Sequence, residues 1–146
     1  MKTVFLPRGK GKSTAAIEEA ALAQDEGIEL VVVIVPEAHF SEHLFEMMVD
    51  VLDMSRVQIW TAQQALHSPL LNSKRKMIEH KSLFRKWWTY EPPYIIIEDA
   101  DLIHPRLYSN LMDVAGDRVR MVTASNVPGV WRHDLTPPDK TGRNRP

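Results

Sequence analysis

The spacing of apolar positions changes period several times along the chain, and each change marks an element. Thr3 to Leu6 is a short apolar run, broken by Pro7-Arg8-Gly9-Lys10-Gly11, which no regular structure accommodates. From Ser13 the spacing turns helical: Ala16, Ile17, Ala20 and Ala21 recur on one face, and Gly27 stands where a closing C′ residue would. Leu30 to Val35 shows no alternation and is nearly all β-branched, the pattern of a parallel strand covered on both faces, and Pro36 stops it. Leu44, Phe45, Met47, Met48, Val51 and Leu52 then give a second amphipathic helix, with Ser41 as its expected N-cap.

Val57 to Trp60 predicts a third strand, and Thr61 is placed to cap a short helical stretch over Ala62 to Leu66. Asn72 or Ser73 opens a third long helix carrying Met77, Ile78, Phe84 and Trp88 on one side. After Pro92-Pro93, Tyr94 to Ile97 predicts a fourth buried strand running into Glu98-Asp99-Ala100-Asp101. Pro105 suits the first turn of another helix through about Val114, closed by Gly116, and Val119 to Thr123 is the fifth strand. Strands alternating with helices predict an α/β fold: a mostly parallel five-stranded sheet with helices on both faces. Residues 1–127 are expected to form this domain and residues 128–146, rich in Pro, Gly and charge, a flexible C-terminal tail.

Composition narrows the function classes. A length of 146 residues suits one domain. Eighteen basic against nineteen acidic residues exclude a globally basic nucleic-acid coat but leave room for a local patch. Zero cysteines exclude a disulfide scaffold, a thiolate zinc site and a cysteine nucleophile. The longest apolar run, Leu30 to Val35, falls far short of the ~18 residues a membrane span needs. Met1-Lys2-Thr3-Val4 leads straight into strand-like sequence, so no signal peptide and a cytoplasmic location are expected.

Ligands of such sheets bind at the carboxyl ends of the strands. The three most unusual segments, 7–14, 98–101 and 123–128, all follow predicted strand ends. In Leu6-Pro-Arg-Gly-Lys-Gly-Lys-Ser13, the last three residues match the phosphate-loop pattern G-x-x-x-x-G-K-[ST], with Leu6 in place of the first glycine. Gly9 and Gly11 let the backbone approach an anion, and Lys10 and Thr14 complete the segment that would cradle it. Lys12 would reach the β- and γ-phosphates, and Ser13 would offer its hydroxyl to Mg²⁺. Arg8 could either brace a triphosphate or pair with an acidic loop across the site.

That acidic loop is Glu98-Asp99-Ala100-Asp101. Triphosphate hydrolysis needs one carboxylate at the metal and one at the attacking water. Glu98 is assigned to the metal, Asp99 to the water and Asp101 to a supporting role. Lys74, Arg75, Lys76, Lys81, Arg85 and Lys86, with Trp87 and Trp88, form the densest basic-aromatic stretch, a candidate for phosphate contact and base stacking. The alternative is a solvated helix face with its tryptophans in the core. The six histidines, including the His39/His43 pair at i,i+4, read as surface residues, and the seven methionines as core filling.

These motifs, in this order, resemble the first RecA-like ATPase lobe shared by superfamily 2 helicases and the large terminase subunits of tailed phages. Arg8-Gly-Lys-Gly-Lys-Ser13 is similar to the terminase-type Walker A, R-x-x-G-K-[ST], which also lacks the first glycine. Val33-Ile-Val-Pro36 and Ile59-Trp-Thr61 resemble the segments that follow the second and third strands of such lobes. Ile95-Ile-Ile-Glu-Asp-Ala-Asp101 resembles Walker B in its D-E-A-D form with the first two acids exchanged, and Thr123-Ala-Ser125 resembles the S-A-T or T-T-P coupling motif. The resemblance implies a RecA-like P-loop NTPase domain binding ATP and Mg²⁺, with Lys12, Arg8, Glu98 and Asp99 at the reaction centre. It implies that Thr123 and Ser125 couple the γ-phosphate to DNA handling, in a protein of phage origin acting in the host cytoplasm. Missing are a second lobe and its arginine finger, so a homo-oligomer or a partner protein is expected to supply that cation. Arg106, Arg118, Arg120 and Arg132 are the candidates within the chain. Two other functions remain: a catalytically weak nucleotide-binding module that regulates a DNA-processing complex, and a small nucleotide kinase.

Overall fold

The computed structural model describes residues 1–7, 11–68, 78–81, 86–89 and 93–125, with 78–81 and 86–89 described through their backbone. Five strands build one sheet: β1 (Lys2–Leu6), β2 (Val31–Val35), β3 (Val57–Thr61), β6 (Tyr94–Ile97) and β7 (Val119–Ser125). Their order is β1-β7-β6-β2-β3, and every pairing is parallel. Among the described residues the helices are α1 (Lys12–Asp25), α2 (Ala38–Met48), α3 (Ala62–Leu66) and α4 (Pro105–Ala115).

Alternation along the buried strands sorts the core into two layers. Val31, Val33, Val35, Ile96 and Met121 pack against Ala16, Ile17 and Ala20 of α1 and Leu44 and Met48 of α2. Val32, Ile34, Ile95, Ile97 and Val122 pack on the other face against Ala62 and Ala65 of α3 and Tyr108, Leu111 and Met112 of α4. The expected sheet with helices on both faces is therefore present, and all five of its strands are parallel. Among the described residues no helix is long and apolar enough to cross a membrane.

Local signals explain most element ends. Gly27 takes φ +92° just past α1, the left-handed step glycine makes cheaply. Thr61 and Gln64 form a reciprocal capping box at the start of α3. Pro105 occupies the first turn of α4, while His104 Nδ1 accepts the Arg106 N–H at 3.2 Å. Gly116 does follow α4, but in right-handed backbone that continues into a short 3₁₀ turn.

Two expectations are corrected. The long helix expected from Asn72 or Ser73 is not what the chain forms at Ile78 and Trp88. Ile78–Lys81 (β4) and Lys86–Thr89 (β5) pair as an antiparallel two-stranded sheet, with Ile78 opposite Thr89 and Lys81 opposite Lys86. Trp87, Trp88 and Thr89 favour extended backbone, and that preference prevails over the helical spacing of four apolar residues. Ser41 does not cap α2: the helix begins at Ala38, after the extended Glu37, and Ser41 Oγ donates back to the Ala38 carbonyl at 2.6 Å. The same helix stops at Met48, short of Val51 and Leu52, although Leu52 still buries its side chain in the core.

Candidate functional site

The described parts of the three unusual segments, 11–14, 98–101 and 123–125, converge at the carboxyl edge of the sheet. The strands that lead into 7–14 and 98–101 are next-nearest neighbours, not adjacent, because β7 runs between β1 and β6. Two strand spacings, about 9–10 Å, separate them. The first turn of α1 closes that distance.

Arg8, Gly9 and Lys10 lie outside the described residues. Gly11 opens α1 at φ +101°, and its carbonyl accepts the Ala15 N–H at 2.9 Å. Glycine has no side chain to cap a helix, so the first-turn N–H groups at Lys12, Ser13 and Thr14 meet no side-chain acceptor from the cap position. Ser13 Oγ donates to Glu98 Oε1 at 2.5 Å. Lys12 Nζ donates to Ser125 Oγ at 2.7 Å and lies 2.6 Å from Asp99 Oδ1. The ammonium meets that oxygen off the direction of a hydrogen bond, so Oδ1 is compensated in charge but has no donor.

Glu98 is 2% exposed, and burial pushes its carboxyl above the usual carboxylate range despite the opposing bond from Ser13. Asp99 sits at φ +53°, ψ +45°, a left-handed conformation that costs a non-glycine residue free energy. Its N–H donates to Thr123 Oγ1 at 3.2 Å, and the Ser125 N–H donates to Asp101 Oδ1 at 3.0 Å. Lys12, Ser13, Glu98, Asp99, Asp101, Thr123 and Ser125 thus form one connected cluster.

Around this cluster lies a cavity of about 440 Å³ lined by Gly11, Lys12, Ser13, Thr14 and Asp99, together with Phe40, His43, Met47 and Leu102. The α2 residues follow i, i+3, i+7 spacing and present one face of the helix to the cavity. His43 is exposed and Met47 packs against the core, as expected of a surface histidine and a core-filling methionine, and both also line the cavity. Neither position carries a local signal of its place here, since only the long-range packing of α2 brings them to the first turn of α1. No arginine lines the cavity among the described residues. Arg118 instead donates to the Val114 carbonyl at 3.0 Å, and burial lowers its pKa. Arg132 lies outside the described residues. So do Lys74, Arg75, Lys76 and Arg85, while Lys81 and Lys86 stand opposite each other in the β4–β5 pair.

A pocket that offers helix amides, an ammonium, a hydroxyl and the Asp99 carboxylate, with Glu98 bonded to Ser13 at its wall, can hold an anion through the first groups and a cation through the acids. No group of three His, Asp or Glu ligands converges among the described residues. A cation beside Ser13 and Glu98 would draw its other oxygens from a ligand and from water, as Mg²⁺ does at phosphate sites.

The sequence matches no protein-family model and no curated protein. Solved structures do match in fold. The UvsW helicase from bacteriophage T4 superposes with a TM-score of 0.61 at 13% identity, over 86% of this chain and 46% of that one. A second T4 UvsW structure gives the same score and identity over 26% of its chain. The Sulfolobus solfataricus SWI2/SNF2 ATPase core in complex with dsDNA gives a TM-score of 0.53 at 16% identity, over 87% of this chain and 28% of that one. The chain spans less than half the length of each. Its five-stranded all-parallel sheet with helices on both faces is therefore the RecA-like fold that these structures share.

Proposed function

We propose that this chain is a helicase-type nucleotide-binding lobe that takes ATP with Mg²⁺ at the Lys12–Ser13–Glu98–Asp99 cluster and hydrolyses it in association with DNA. The observation that carries the reading is the meeting of Lys12 with Asp99 at 2.6 Å and of Ser13 with Glu98 at 2.5 Å, across strands that are not adjacent. Two such closures, at the two loops the sequence singles out, fit a phosphate site better than a plain βα turn.

In this reading the first-turn amides of α1 and the Lys12 ammonium bind the β- and γ-phosphates, and Gly9, Lys10 and Thr14 complete the cradle. Ser13 Oγ and Glu98 are the protein groups placed to hold Mg²⁺, which when bound neutralises charge on the phosphate oxygens. Asp99 orients the attacking water once phosphate has drawn Lys12 away from it. Thr123 and Ser125, bonded to the Asp99 amide and to the Lys12 ammonium, transmit phosphate occupancy to whatever the lobe acts on. Association with DNA is supported by the SWI2/SNF2 core, solved in complex with dsDNA, and by the basic residues at 74–76, 81, 85 and 86. A phage source and a need for an arginine from a second copy or partner belong to the same reading.

One observation favours the second reading, a nucleotide-binding module that turns over weakly: Asp99 is the shorter acid and is engaged by Lys12. Calorimetry with the non-hydrolysable analogue AMP-PNP and Mg²⁺ tests the binding claim. Wild type should bind, and Lys12→Ala should lose an order of magnitude or more in affinity, as a charge-assisted phosphate contact of about 1.5–3 kcal/mol implies. Equal affinity would refute the site. Phosphate release with and without DNA then separates the motor from the weak module. Lys74, Arg75 and Lys76 replaced by Ala should flatten the log–log salt slope of DNA binding by up to ~2–3 units.

A further inference from the structure

The cavity wall contributed by α2 has no task in the reading above. Phe40, His43 and Met47 are one face of that helix, and of the three only His43 carries hydrogen-bonding nitrogens. Along the sheet the order runs β1, β7, β6, β2, and α2 follows β2. The α2 wall therefore stands on the far side of the acidic loop from β1. In the proposed reading the terminal phosphate lies beside Lys12 and Asp99, and both line the same cavity as His43. His43 is also near enough for its charge to act on Glu98, where it opposes the effect of burial.

Resting on the nucleotide-binding reading, we infer that His43 is a ligand of the terminal phosphate, donating an imidazole N–H to a γ-phosphate oxygen and so distinguishing a nucleoside triphosphate from a diphosphate. Phe40, Met47 and Leu102 line the same cavity and add apolar surface beside these polar groups. Among the described residues no arginine reaches this cavity, so His43 is the group on the α2 side able to donate to that oxygen. Its side chain is exposed and holds no part of the core, so replacing it leaves the fold intact.

The test compares affinities for Mg²⁺–AMP-PNP and Mg²⁺–ADP in wild type, His43→Ala, His43→Gln and Lys12→Ala. His43→Ala should weaken AMP-PNP about tenfold while leaving ADP within twofold, collapsing the ratio between them. His43→Gln, which keeps an N–H donor, should recover part of the loss. Lys12→Ala should weaken both nucleotides. If His43→Ala weakens both nucleotides equally, or neither, while Lys12→Ala still abolishes binding, the role of His43 is overturned and the phosphate site stands. If wild type binds neither nucleotide, the site itself and this inference fall together.

Discussion

Lys12 and Asp99 hold each other across the candidate site: 2.6 Å separates Nζ from Oδ1, and the two side chains are 8% and 14% exposed. In the proposed reading, an incoming phosphate competes with Asp99 for that ammonium. Asp99→Asn removes the competing charge at constant size, so the variant should bind AMP-PNP at least as tightly as wild type, read by calorimetry. On the proposed assignment of Asp99 to the attacking water, the variant's phosphate release should fall. A marked loss of affinity would show that Asp99 supports the bound state and does not compete with it.

Thr123 holds Asp99 from the neighbouring strand. Its side chain is fully buried and Oγ1 accepts the Asp99 N–H at 3.2 Å, fixing the left-handed turn. Thr123→Val keeps the shape and leaves that amide without an acceptor, at a cost of about 1–3 kcal/mol. Urea denaturation should show the loss as a lower midpoint at unchanged slope.

At the opposite edge of the sheet, Tyr94 donates to Glu19 Oε1 at 2.5 Å and Lys2 Nζ lies 3.1 Å from the other carboxylate oxygen. Burial raises the Glu19 pKa, but the bonds from Tyr94 and Lys2 and the Lys2 charge outweigh it and leave the carboxyl below 4.5. Burial and the bond to Glu19 push the Tyr94 hydroxyl from 10.0 up to about 12. For Glu19 the folded pKa is depressed, so its contribution is present above pH 4.5 and lost as pH falls through the folded value. For Tyr94 the folded pKa is raised, so its contribution is present below pH 10 and lost as pH rises toward about 12. Tyr94→Phe should lower stability near neutral pH by about 1 kcal/mol and remove the alkaline decline between those two values. Thermal melts from pH 3 to pH 12 would read both limbs.

Gly11 has open space where a Cβ would stand, yet its φ of +101° is unfavourable for any side chain. Gly11→Ala should therefore cost about 1–2 kcal/mol through backbone strain alone, with no clash to relieve. A thermal melt that matches wild type would place the strain elsewhere.

Much of this architecture is written locally. Leu30 to Val35 announces a strand buried on both faces, Thr61 with Gln64 spells its own cap, and Gly27 marks the end of α1 at the residue that turns left-handed. Motif order predicts that the loops after β1 and β6 share one edge, because parallel strands carry their following loops to the same side, whereas the Ser13–Glu98 bond is visible only in the fold. What local pattern could not convey is which strands neighbour which, and so β7 between β1 and β6 came only from the fold. The β4–β5 pair was missed because Met77, Phe84 and Trp88 fall at helical multiples, while the pairing of Ile78 with Thr89 is a contact across sequence. His43 escaped for a related reason. Nothing within four residues of it records that α2 packs beside the start of α1.

The central strands carry a consequence for how the molecule opens. Val31, Val33, Val35 and Ile96 belong to one apolar layer, and Val32, Ile34, Ile95 and Ile97 to the other, yet all eight lie on β2 and β6. Neither layer can loosen without uncovering the backs of the same two strands to water. The Glu98 N–H, bonded to the Ile34 carbonyl at 2.8 Å, extends that shared ladder to the edge of the candidate site. Amide protons along β2 and β6 should then exchange with deuterium last and together, at the rate of global opening, and the acid beside Ser13 is anchored to the part of the chain that unfolds last.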